Sequence, residues 1–486
     1  MPLSPTPEQA AIIEAARTTS DNILVIALAG TAKTTTIVLI CCAITGIPIL
    51  CLAFNKRIAD EMRKRLPSHV EVRTMNSLGH SVWSGVVGKR LVVESSKMYQ
   101  ILKGVIDAQP KNNQNDLRAD MADILRWLRY AKRDGYVPRK WAGLGKAIFN
   151  DWPTFLAQHD DEPEEHLRGI IDTCLERSIE ASYLGNIDFD DQIYMPVIFG
   201  GTWPKFPLVC VDEAQDLSPL NHAMLEKLVH RRLIAVGDPW QSIYAFRGAV
   251  SNGMSALRDR WNMRELTLSV TFRVPRLGVE RARARVPHFQ AWPDNGPGHI
   301  ESLPYWNADS IPDGAAIICR NNAPLFSCAL KLLKNGRSIK LVGMDIGAGL
   351  VRILKKLGPL STPDTQIQTA LSAWLERELR KARREETVYE RYECLLVLVD
   401  GHKDLNSAIV AAEMLFKREG PIQLLSGHKA KGLEWDIIYH LDPWRIPSKF
   451  AKPASEEMEQ ELNVKYVIET RFKKEMYLVD MEGFDG

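Results

Sequence analysis

The stretch ALAGTAKTTT, at positions 27–36, has the spacing of a phosphate-binding loop. In the pattern G-x-x-x-x-G-K-[ST], backbone N–H groups surround phosphates, the lysine reaches the outer phosphates, and the hydroxyl holds magnesium. Lys33 and Thr34 occupy the lysine and hydroxyl positions, but Ala27 and Ala32 replace both outer glycines. A left-handed backbone at Ala32 would cost about 1–2 kcal/mol, which one charged contact can offset. The loop alone leaves open whether it is a working nucleotide site or the relic of one.

Two adjacent acids, Asp212 and Glu213, directly follow the apolar run 208–211. The first is positioned as an acid that supports a magnesium ion, and the second could polarise a water molecule. Taken alone, such a pair is more often a surface turn. Together with Lys33 and Thr34, however, it completes the inventory for phosphoryl transfer: phosphate cradle, metal hydroxyl, metal carboxylate and water-orienting group.

The elements that must position these residues are short apolar runs that stop at polar clusters. The segment after the loop, 35–40, predicts the start of a helix whose N-terminus would point at an anion. In a parallel α/β sheet, ligands bind beyond the carboxyl ends of the strands, so the clusters are predicted to converge on one site. The runs predicted as strands are 23–28, 49–53, 208–211 and 233–236.

Length and composition indicate an ordinary globular protein of two or more domains. The chain has 486 residues, of which 45% are hydrophobic and 25% charged, as in typical folded domains. The net charge of +2 gives no global indication of a nucleic-acid partner, so any basic groove must be local.

Cysteine usage and the N-terminus indicate an intracellular protein. The eight cysteines contain no CxxC pair, and we interpret them as buried thiols of a reducing compartment rather than zinc ligands or disulfides. The start MPLSPTPEQ lacks the regions of a secretory signal, and the most apolar stretch, 37–54, is interrupted by turn residues. We expect a location in the cytoplasm or nucleoid and no membrane partner.

Seven stretches, in order along the chain, resemble the motifs of UvrD/Rep/PcrA-like superfamily 1 DNA helicases. An ordered set of seven is highly specific, although each motif alone is not. They are TPEQ (6–9, Q motif), AGTAKTTT (29–36, Walker A), VDEAQD (211–216, motif II), VGDPWQSIYAFRGA (236–249, motif III), LTLSVTFRVP (266–275, motif IV), SGHKAKGLEWD (426–436, motif V) and YVIETR (466–471, motif VI).

The resemblance implies an α/β fold with two RecA-like parallel-sheet motor domains that carry helical insertions. Residues 1–85 plus 186–275 would form the first core, with a helical insertion at 86–185. Residues 276–359 plus 421–486 would form the second core, with a small helical insertion at 360–420. Strands of the second core are predicted at 315–320, 338–343, 422–427, 436–441 and 476–480.

The resemblance also implies ATP and Mg2+ as cofactors. Catalytic roles fall to Lys33, to Glu213, to Gln241 as a γ-phosphate sensor, and to Arg273 and Arg471 as arginine fingers. Thr34 and Asp212 would hold the metal, and ATP would bind where Lys33 and Asp212 face the two arginines. Glu434 would couple the nucleotide site to DNA, or it merely pairs with Lys431. Nucleotide-binding residues implied by the family are Gln9 (for adenine), Ala29, Gly30, Thr31, Ala32, Lys33, Thr34, Thr35 and Glu434.

The partners implied by the resemblance are single-stranded DNA and duplex junctions. Asn76 stands where the family usually has His, and Phe246 where many relatives have Trp, but each keeps a similar capacity for hydrogen bonding or stacking. The segment 126–141 has six basic residues against one acid, interleaved with aromatics. It is either a DNA contact or an amphipathic helix with core aromatics. DNA-binding residues carried over from the family are Phe54, Asn55, Thr74, Asn76, Tyr244, Phe246 and His428.

Three functions remain open on the sequence. The first is an ATP-driven translocase and helicase on single-stranded DNA, with 3′-to-5′ polarity implied by the family, acting as a monomer. The second is a translocase that displaces proteins without unwinding by itself. The third is an ATP-binding, DNA-binding scaffold subunit with little or no turnover, in which the altered loop binds ATP without hydrolysing it.

Overall fold

The structure, a computed structural model, describes residues 4–159, 162–243, 253–380 and 385–485. It is an α/β protein with parallel sheets, and the chain divides into two units. The first unit consists of Met1–Ala27 and Ala32–Leu268, and the second of Leu28–Thr31 and Ser269–Gly486. None of the described helices is both long and apolar enough to cross a membrane.

The first unit is built on a sheet of six parallel strands. The strands of this unit are β1 (Ile23–Ala27), β2 (Ile49–Leu52), β3 (Val70–Arg73), β4 (Val92–Val93), β5 (Asn186–Ile187), β6 (Phe206–Val211), β7 (Val229–Gly237) and β8 (Arg264–Leu268). Of these, β4 and β5 form a separate short pair outside the six-stranded sheet. The order in the sheet is β3-β2-β6-β7-β1-β8. The four strands predicted from apolar runs are therefore confirmed as β1, β2, β6 and β7.

Both faces of this sheet are buried, which explains the continuous apolar runs. Along β1, Ile23, Val25 and Ala27 pack into one apolar cluster, and Leu24 and Ile26 into another. Successive strand residues point to opposite faces, so a strand covered on both sides must be apolar at every position. The helices of this unit are α1 (Pro7–Thr18), α2 (Lys33–Ala43), α3 (Lys56–Arg63), α4 (Met75–Val87), α5 (Lys97–Asp107), α6 (Lys111–Ala119), α7 (Met121–Asp134), α8 (Trp152–Leu156), α9 (Glu165–Tyr183), α10 (Asp191–Phe199), α11 (Pro219–Leu228) and α12 (Gly253–Trp261).

A buried cluster of charges joins α5, α7 and the start of α10. Lys97 Nζ lies 2.6 Å from Asp191 Oδ2, and Lys132 Nζ lies 2.5 Å from Asp188 Oδ2 and 2.7 Å from Asp191 Oδ1. Although burial opposes it, the charges of Asp191 and Asp188 raise the pKa of Lys132 above its ordinary value. Removing one partner of such a cluster would leave an uncompensated buried charge.

This cluster decides between the two interpretations of segment 126–141. Lys132 is only 1% exposed, and Trp127 and Tyr136 are buried in the apolar core of the helices. Arg126 and Arg133 pair with neighbouring acids on α7. The structure therefore favours the amphipathic helix with core aromatics.

The second unit has its own sheet of six parallel strands. The strands of this unit are β9 (Val270–Thr271), β10 (Gln290–Ala291), β11 (His299–Leu303), β12 (Trp306–Asn307), β13 (Ala316–Cys319), β14 (Ile339–Leu341), β15 (Ile422–Ser426), β16 (Trp435–Leu441), β17 (Phe472–Val479) and β18 (Phe484–Asp485). Of these, β9 pairs with β10 and β12 pairs with β18, and both pairs lie outside the six-stranded sheet. The order is β11-β17-β16-β13-β15-β14. All five predicted strands are confirmed, and the edge strand β11 was not predicted.

Helices cover this second sheet and fill most of the segment 360–420. Leu371 of α16, Leu395 of α17 and Leu415 of α18 join the same apolar core as the strands. The helices are α13 (Arg276–Ala282), α14 (Asn322–Lys334), α15 (Met344–Leu357), α16 (Asp364–Leu379), α17 (Glu385–Val399), α18 (Leu405–Phe416), α19 (Gly427–Ala430) and α20 (Glu456–Glu469).

The altered loop has a left-handed backbone at two positions. Gly30 has φ of 73°, and Ala32, immediately before α2, has φ of 61° and ψ of 43°. Ala27 instead ends β1 in ordinary strand conformation and is fully buried. Of the two missing glycines, only the one at Ala32 therefore occupies a position where glycine has a conformational advantage.

Substituting glycine at the two alanines should change stability in opposite directions. In Ala32→Gly, relief of left-handed strain outweighs the greater freedom of the unfolded chain, so the free energy of unfolding should rise by about 0.5–1 kcal/mol. Ala27→Gly should lower it by about 1 kcal/mol or more, because a strand glycine is unfavourable and a buried methyl is lost. Urea unfolding of the first unit measures both. Shifts of the same sign would contradict this explanation.

A buried histidine makes the second unit sensitive to acid. His440 on β16 is fully buried, and neither ring nitrogen has a hydrogen-bond partner among the described residues. Burial, with smaller contributions from the charges of Arg281 and Lys465, lowers the pKa of His440 to about 3. The folded state thus keeps this ring neutral where the unfolded chain already binds a proton.

The stability of the second unit should therefore fall as the pH drops below about 6.5, the ordinary histidine pKa. Between pH 7.5 and 5, this one group should remove about 2 kcal/mol of unfolding free energy. Over the same pH range, the unfolding free energy of the His440→Leu variant should fall by about 2 kcal/mol less than that of the native chain. The measurement is urea unfolding at both pH values for the native chain and the variant, and equal losses in the two would refute the assignment.

Candidate functional site

The carboxyl end of β6 brings a buried acid to the N-terminus of α2. Asp212 follows β6 and is 4% exposed, and its Oδ2 accepts a hydrogen bond of 2.8 Å from the hydroxyl of Thr34. Thr34 is the second residue of α2, so the helix that follows the loop presents its hydroxyl directly to this carboxylate. The two residues predicted to hold a metal are thus in contact.

Lys33 and Glu213 form a second pair beside the first. Lys33 Nζ lies 3.8 Å from Glu213 Oε2, and both side chains are largely buried. The backbone N–H of Glu213 donates to Asp212 Oδ1 at 3.0 Å, while Glu213 itself has a left-handed φ of 54°. A strained non-glycine residue in this position is typical of functional turns.

Hydrogen bonds extend from this pair to the end of β7. Gln215 Nε2 donates to Glu213 Oε2 at 2.5 Å, and Gln215 Oε1 accepts from the backbone N–H of Asp238 at 2.9 Å. Gln241 Nε2 donates to Asp238 Oδ2 at 2.6 Å. We refer to Asp212, Glu213, Gln215, Asp238 and Gln241 as the acidic network.

Two members of the acidic network were not among the predicted site residues. Gln215 and Asp238 both lie inside the motifs that resemble the helicase family, and both are buried. A signal was present, because both lie in the polar clusters that follow buried strands, and a buried polar residue must find a partner. Their role here is to connect and orient Glu213 and Gln241.

The acidic network has the electrostatics of a cation site. Burial, and next the charge of Glu213, raise the pKa of Asp212 to about 6, against the opposing effects of Lys33 and Thr34. Burial also raises the pKa of Asp238. Buried carboxylates and a hydroxyl that converge in this way are oxygen ligands of the kind Mg2+ takes, so these residues fit the ion that the family implies.

Gln9 and Thr35 are occupied by local hydrogen bonds. Gln9 completes a capping box at the start of α1, and its Nε2 donates to the hydroxyl of Thr36 at 3.0 Å. Thr35 Oγ1 accepts from Arg65 at 3.1 Å. Neither contact tests the predicted nucleotide role of these residues.

The predicted nucleotide-binding residues Ala29, Gly30 and Thr31 have contacts within the second unit. The N–H of Ala29 donates to the hydroxyl of Tyr466 at 3.0 Å, and the carbonyl of Gly30 accepts from the N–H of Phe272 at 2.9 Å. Thr31 Oγ1 donates to the carbonyl of Leu28 at 2.8 Å. Hydrogen bonds therefore hold the loop backbone in a defined conformation.

In the second unit, Arg273 lies in a polar pocket. One guanidinium nitrogen is 3.2 Å from Glu434 Oε2, while Nε and Nη2 are buried without a hydrogen-bond partner among the described residues. Lys473 Nζ lies 2.8 Å from Glu434 Oε1. The pocket has a volume of about 350 Å³ and is lined by Phe272, Arg273, Pro275, Asp294, Asn295, Gly296, Glu434 and Lys473.

The partners of Glu434 differ from the one considered from the sequence. Its carboxylate pairs with Arg273 and Lys473, where the sequence suggested Lys431. Although partial burial opposes it, the hydrogen bond from Lys473 and the charge of Arg273 lower the pKa of Glu434. Lys473 follows motif VI on β17, a position that spacing along motif V could not reveal.

Arg471 is 1% exposed and is held by the backbone around it. Its Nε donates to the carbonyl of Val467 at 2.8 Å, and Nη2 donates to the hydroxyl of Thr470 at 3.0 Å. A cation buried this deeply must be matched by acceptors. These contacts fix the position of the guanidinium at the end of α20.

Several predicted DNA contacts lie at the carboxyl ends of β2 and β3. Phe54 is 54% exposed, and Asn55 and Thr74 are the N-cap residues of α3 and α4. Asn76 Nδ2 donates to the carbonyl of Phe189 at 3.0 Å, and the Phe189 ring is 64% exposed. Phe189 was not predicted, although an exposed aromatic between acids in DFDD was a possible signal.

The remaining predicted DNA contacts are described only in part. His428 is half-buried on the short helix α19, directly after β15. Tyr244 and Phe246 lie outside the described residues.

The sequence matches a known family over more than half of its length. The family model described as UvrD/REP helicase N-terminal domain matches residues 6–262. This range contains the loop, the acidic network and the strands that carry them.

Three similar proteins illustrate the extent of the match. The chain is 26% identical over 348 residues to the ATP-dependent DNA helicase PcrA of Leuconostoc citreum, covering 63% of this chain and 43% of that protein. It is 23% identical over 530 residues to the F-box DNA helicase protein 1 of Schizosaccharomyces pombe, covering 98% and 57%. It is 25% identical over 345 residues to the ATP-dependent DNA helicase UvrD1 of Mycobacterium tuberculosis, covering 61% and 42%.

The chain spans about half the length of these curated relatives. The family match includes every residue of the acidic network, together with the loop alanines that depart from the consensus. This chain belongs to the UvrD/Rep helicase family, as shown by the family match, together with the ordered motifs and the geometry of the acidic network.

Proposed function

We propose that this chain is an ATP-driven motor that translocates along single-stranded DNA and unwinds duplexes. The observation that carries the proposal is the 2.8 Å bond between Thr34 and Asp212, beside the pair of Lys33 and Glu213. The proposal includes two RecA-like motor domains with the boundaries and insertions given above, monomeric action, and 3′-to-5′ polarity. The names of the relatives, which describe ATP-dependent DNA helicases, support it.

The first unit supplies the groups that a hydrolytic reaction needs. Lys33 neutralises the outer phosphates. Thr34 and Asp212 would hold Mg2+, which would neutralise charge on the phosphate oxygens. Glu213 accepts the proton of the attacking water, and the amide of Gln215 orients its carboxylate. Gln241, fixed by Asp238, senses the γ-phosphate.

The second unit supplies a cationic group with unused donor capacity, Arg273. The buried Nε and Nη2 of Arg273 have no acceptor among the described residues, and leaving such donors unpaired is costly. A phosphate oxygen is a suitable acceptor because a guanidinium binds phosphate in a fork geometry. We therefore assign charge stabilisation to Arg273, and nucleotide contacts to the pocket around Phe272 and Glu434. Arg471 is assigned the same stabilising role on the resemblance of motif VI to the family.

The DNA path includes the exposed aromatics at the strand ends. Binding that ignores base sequence uses aromatic faces for bases and polar or cationic groups for the backbone. Phe54 and Phe189 expose their rings, and the hydrogen bond from Asn76 to the Phe189 carbonyl fixes the second of these positions. Asn55, Thr74 and His428 complete the proposed path in the described part of the chain.

Two other functions, a scaffold subunit and a protein-displacing translocase, are distinguished from the motor by experiment. A scaffold subunit would bind ATP tightly and release no phosphate, whereas the acidic network contains groups that a mere binder does not need. A translocase that only displaces proteins would hydrolyse ATP on single-stranded DNA and fail to unwind a forked duplex. Unwinding assays on forks with either a 3′ or a 5′ tail separate these functions and test the polarity.

Phosphate release from ATP, with and without single-stranded DNA, tests the motor directly. DNA should stimulate release by the native chain, and Lys33→Ala should reduce the rate by about 100-fold or more, since it removes the charge that neutralises the phosphates. Lys64→Ala, at an exposed position after α3, is the matched control and should retain the native rate. Tight ATP binding with no release by the native chain would favour the scaffold.

Binding of a fluorescent single strand tests the DNA path. Phe54→Ala and Phe189→Ala should each weaken binding by about 1–3 kcal/mol if one base stacks on each ring. Tyr99→Ala is the control, because Tyr99 is a 50% exposed aromatic on α5 outside the proposed path. If all three variants bind like the native chain, the strand follows another route.

A further inference from the structure

Three buried cysteines, none of them assigned to nucleotide or DNA, converge inside the first unit. Cys41 lies on α2, Cys51 on β2 and Cys210 on β6, and all three are at most 1% exposed. Their sulfur atoms all lie within 4.8 Å of one another. Cys41 Sγ is 3.3 Å from Cys51 Sγ and 3.9 Å from Cys210 Sγ. We refer to these residues as the sulfur triad.

The fold determines this arrangement. Cys51 and Cys210 are direct partners in the parallel pairing of β2 and β6, so their side chains lie next to each other on the same face of the sheet. Cys41 on α2 covers that face. All three cysteines belong to a buried apolar cluster that also contains Ile37, Ile40, Ile49, Leu208 and Ile234.

Three sulfurs in an apolar setting select for soft ions. Thiolates bind soft metals and metalloids, whereas zinc in structural sites takes four ligands. No fourth His, Cys, Asp or Glu joins the triad among the described residues. The sulfur separations of 3.3 and 3.9 Å suit one bridging atom, because a thiolate bond of about 2.3 Å allows sulfur separations of up to about 4 Å.

Because the triad is buried, the net charge of the bound complex distinguishes among the soft ions. Three thiolates around Cu(I) or Zn(II) leave net negative charge, which is costly in an apolar interior. Trivalent arsenic with three thiolates is neutral. The apolar surroundings of the triad therefore favour the trivalent ion.

We propose that Cys41, Cys51 and Cys210 form a three-sulfur binding site for trivalent arsenic. Arsenous acid supplies the ion: three As–O bonds are replaced by three As–S bonds, and each thiol proton leaves with a hydroxyl group as water. Arsenic stays trivalent throughout, so the reaction needs no oxidant or reductant. The product ties α2 to β2 and β6 through one atom.

Arsenic bound at this site should also affect the motor, an expectation that rests on the proposed function. Cys41 lies on the helix that begins with Lys33 and Thr34, so bonds to its sulfur restrain that helix. We expect arsenite to slow ATP hydrolysis. Binding is measured separately from hydrolysis, so failure of the motor proposal leaves the binding result interpretable.

The test uses the full chain, incubated with arsenite and also refolded from urea in its presence, since the triad is buried. After gel filtration, elemental analysis should find about one arsenic per chain, and X-ray absorption should find three sulfur neighbours. Cys51→Ala and Cys210→Ala should each lower arsenic affinity at least about tenfold. Circular dichroism confirms that these variants fold.

Two other cysteines provide matched controls. Cys42→Ala removes the exposed neighbour of Cys41, and Cys174→Ala removes a buried thiol on α9. Both should retain arsenic like the native chain. The proposal is overturned if refolded native protein retains no arsenic, if Cys42→Ala or Cys174→Ala abolishes retention, or if zinc or Cu(I) is retained in its place.

Discussion

A carboxylate that is almost fully buried must be matched by donors or by a cation, and Asp212 imposes this requirement on the first unit. The hydroxyl of Thr34 and the N–H of Glu213 meet part of it. Lys33 lowers the cost further, yet the pKa of Asp212 still remains raised by burial and by Glu213. The geometry of the loop and of the acidic network follows from keeping these groups around one acid, and it leaves a place where additional positive charge is favourable.

The loop shows at which position a glycine is physically required. A Cβ at Gly30 would lie 2.5 Å from Thr271 Oγ1 and 2.9 Å from Arg273 Cβ, distances that side chains do not reach without movement. At Ala32 the constraint is only a left-handed backbone, which costs about 1–2 kcal/mol and does not exclude alanine. Ala27 needs neither. The chain thus keeps glycine where space demands it and replaces it where only strain opposes alanine.

The sequence predicted the buried strands well because a parallel sheet covered on both faces needs apolar residues at every position. It failed at β11, where His299, Glu301 and Ser302 interrupt the apolar pattern at an edge with little burial. It also could not determine the role of Lys132, since its acceptors Asp188 and Asp191 lie more than fifty residues away. Motif spacing gave the pair of Thr34 and Asp212, but not the partners of Glu434. Pairs formed by tertiary packing leave no periodic signal.

Helix α2 connects the chemistry of the sheet edge with the packing of the sheet interior. Its first turn carries Lys33 and Thr34, and its last turn carries Cys41. A helix is stiff over this length because each residue is fixed by backbone hydrogen bonds to the next turn. Displacement at Cys41 therefore transmits to Thr34 more readily than it would through a loop. Since the bond between Thr34 and Asp212 requires contact at 2.8 Å, the position of this helix against β2 and β6 governs whether the acid at the sheet edge keeps its donor.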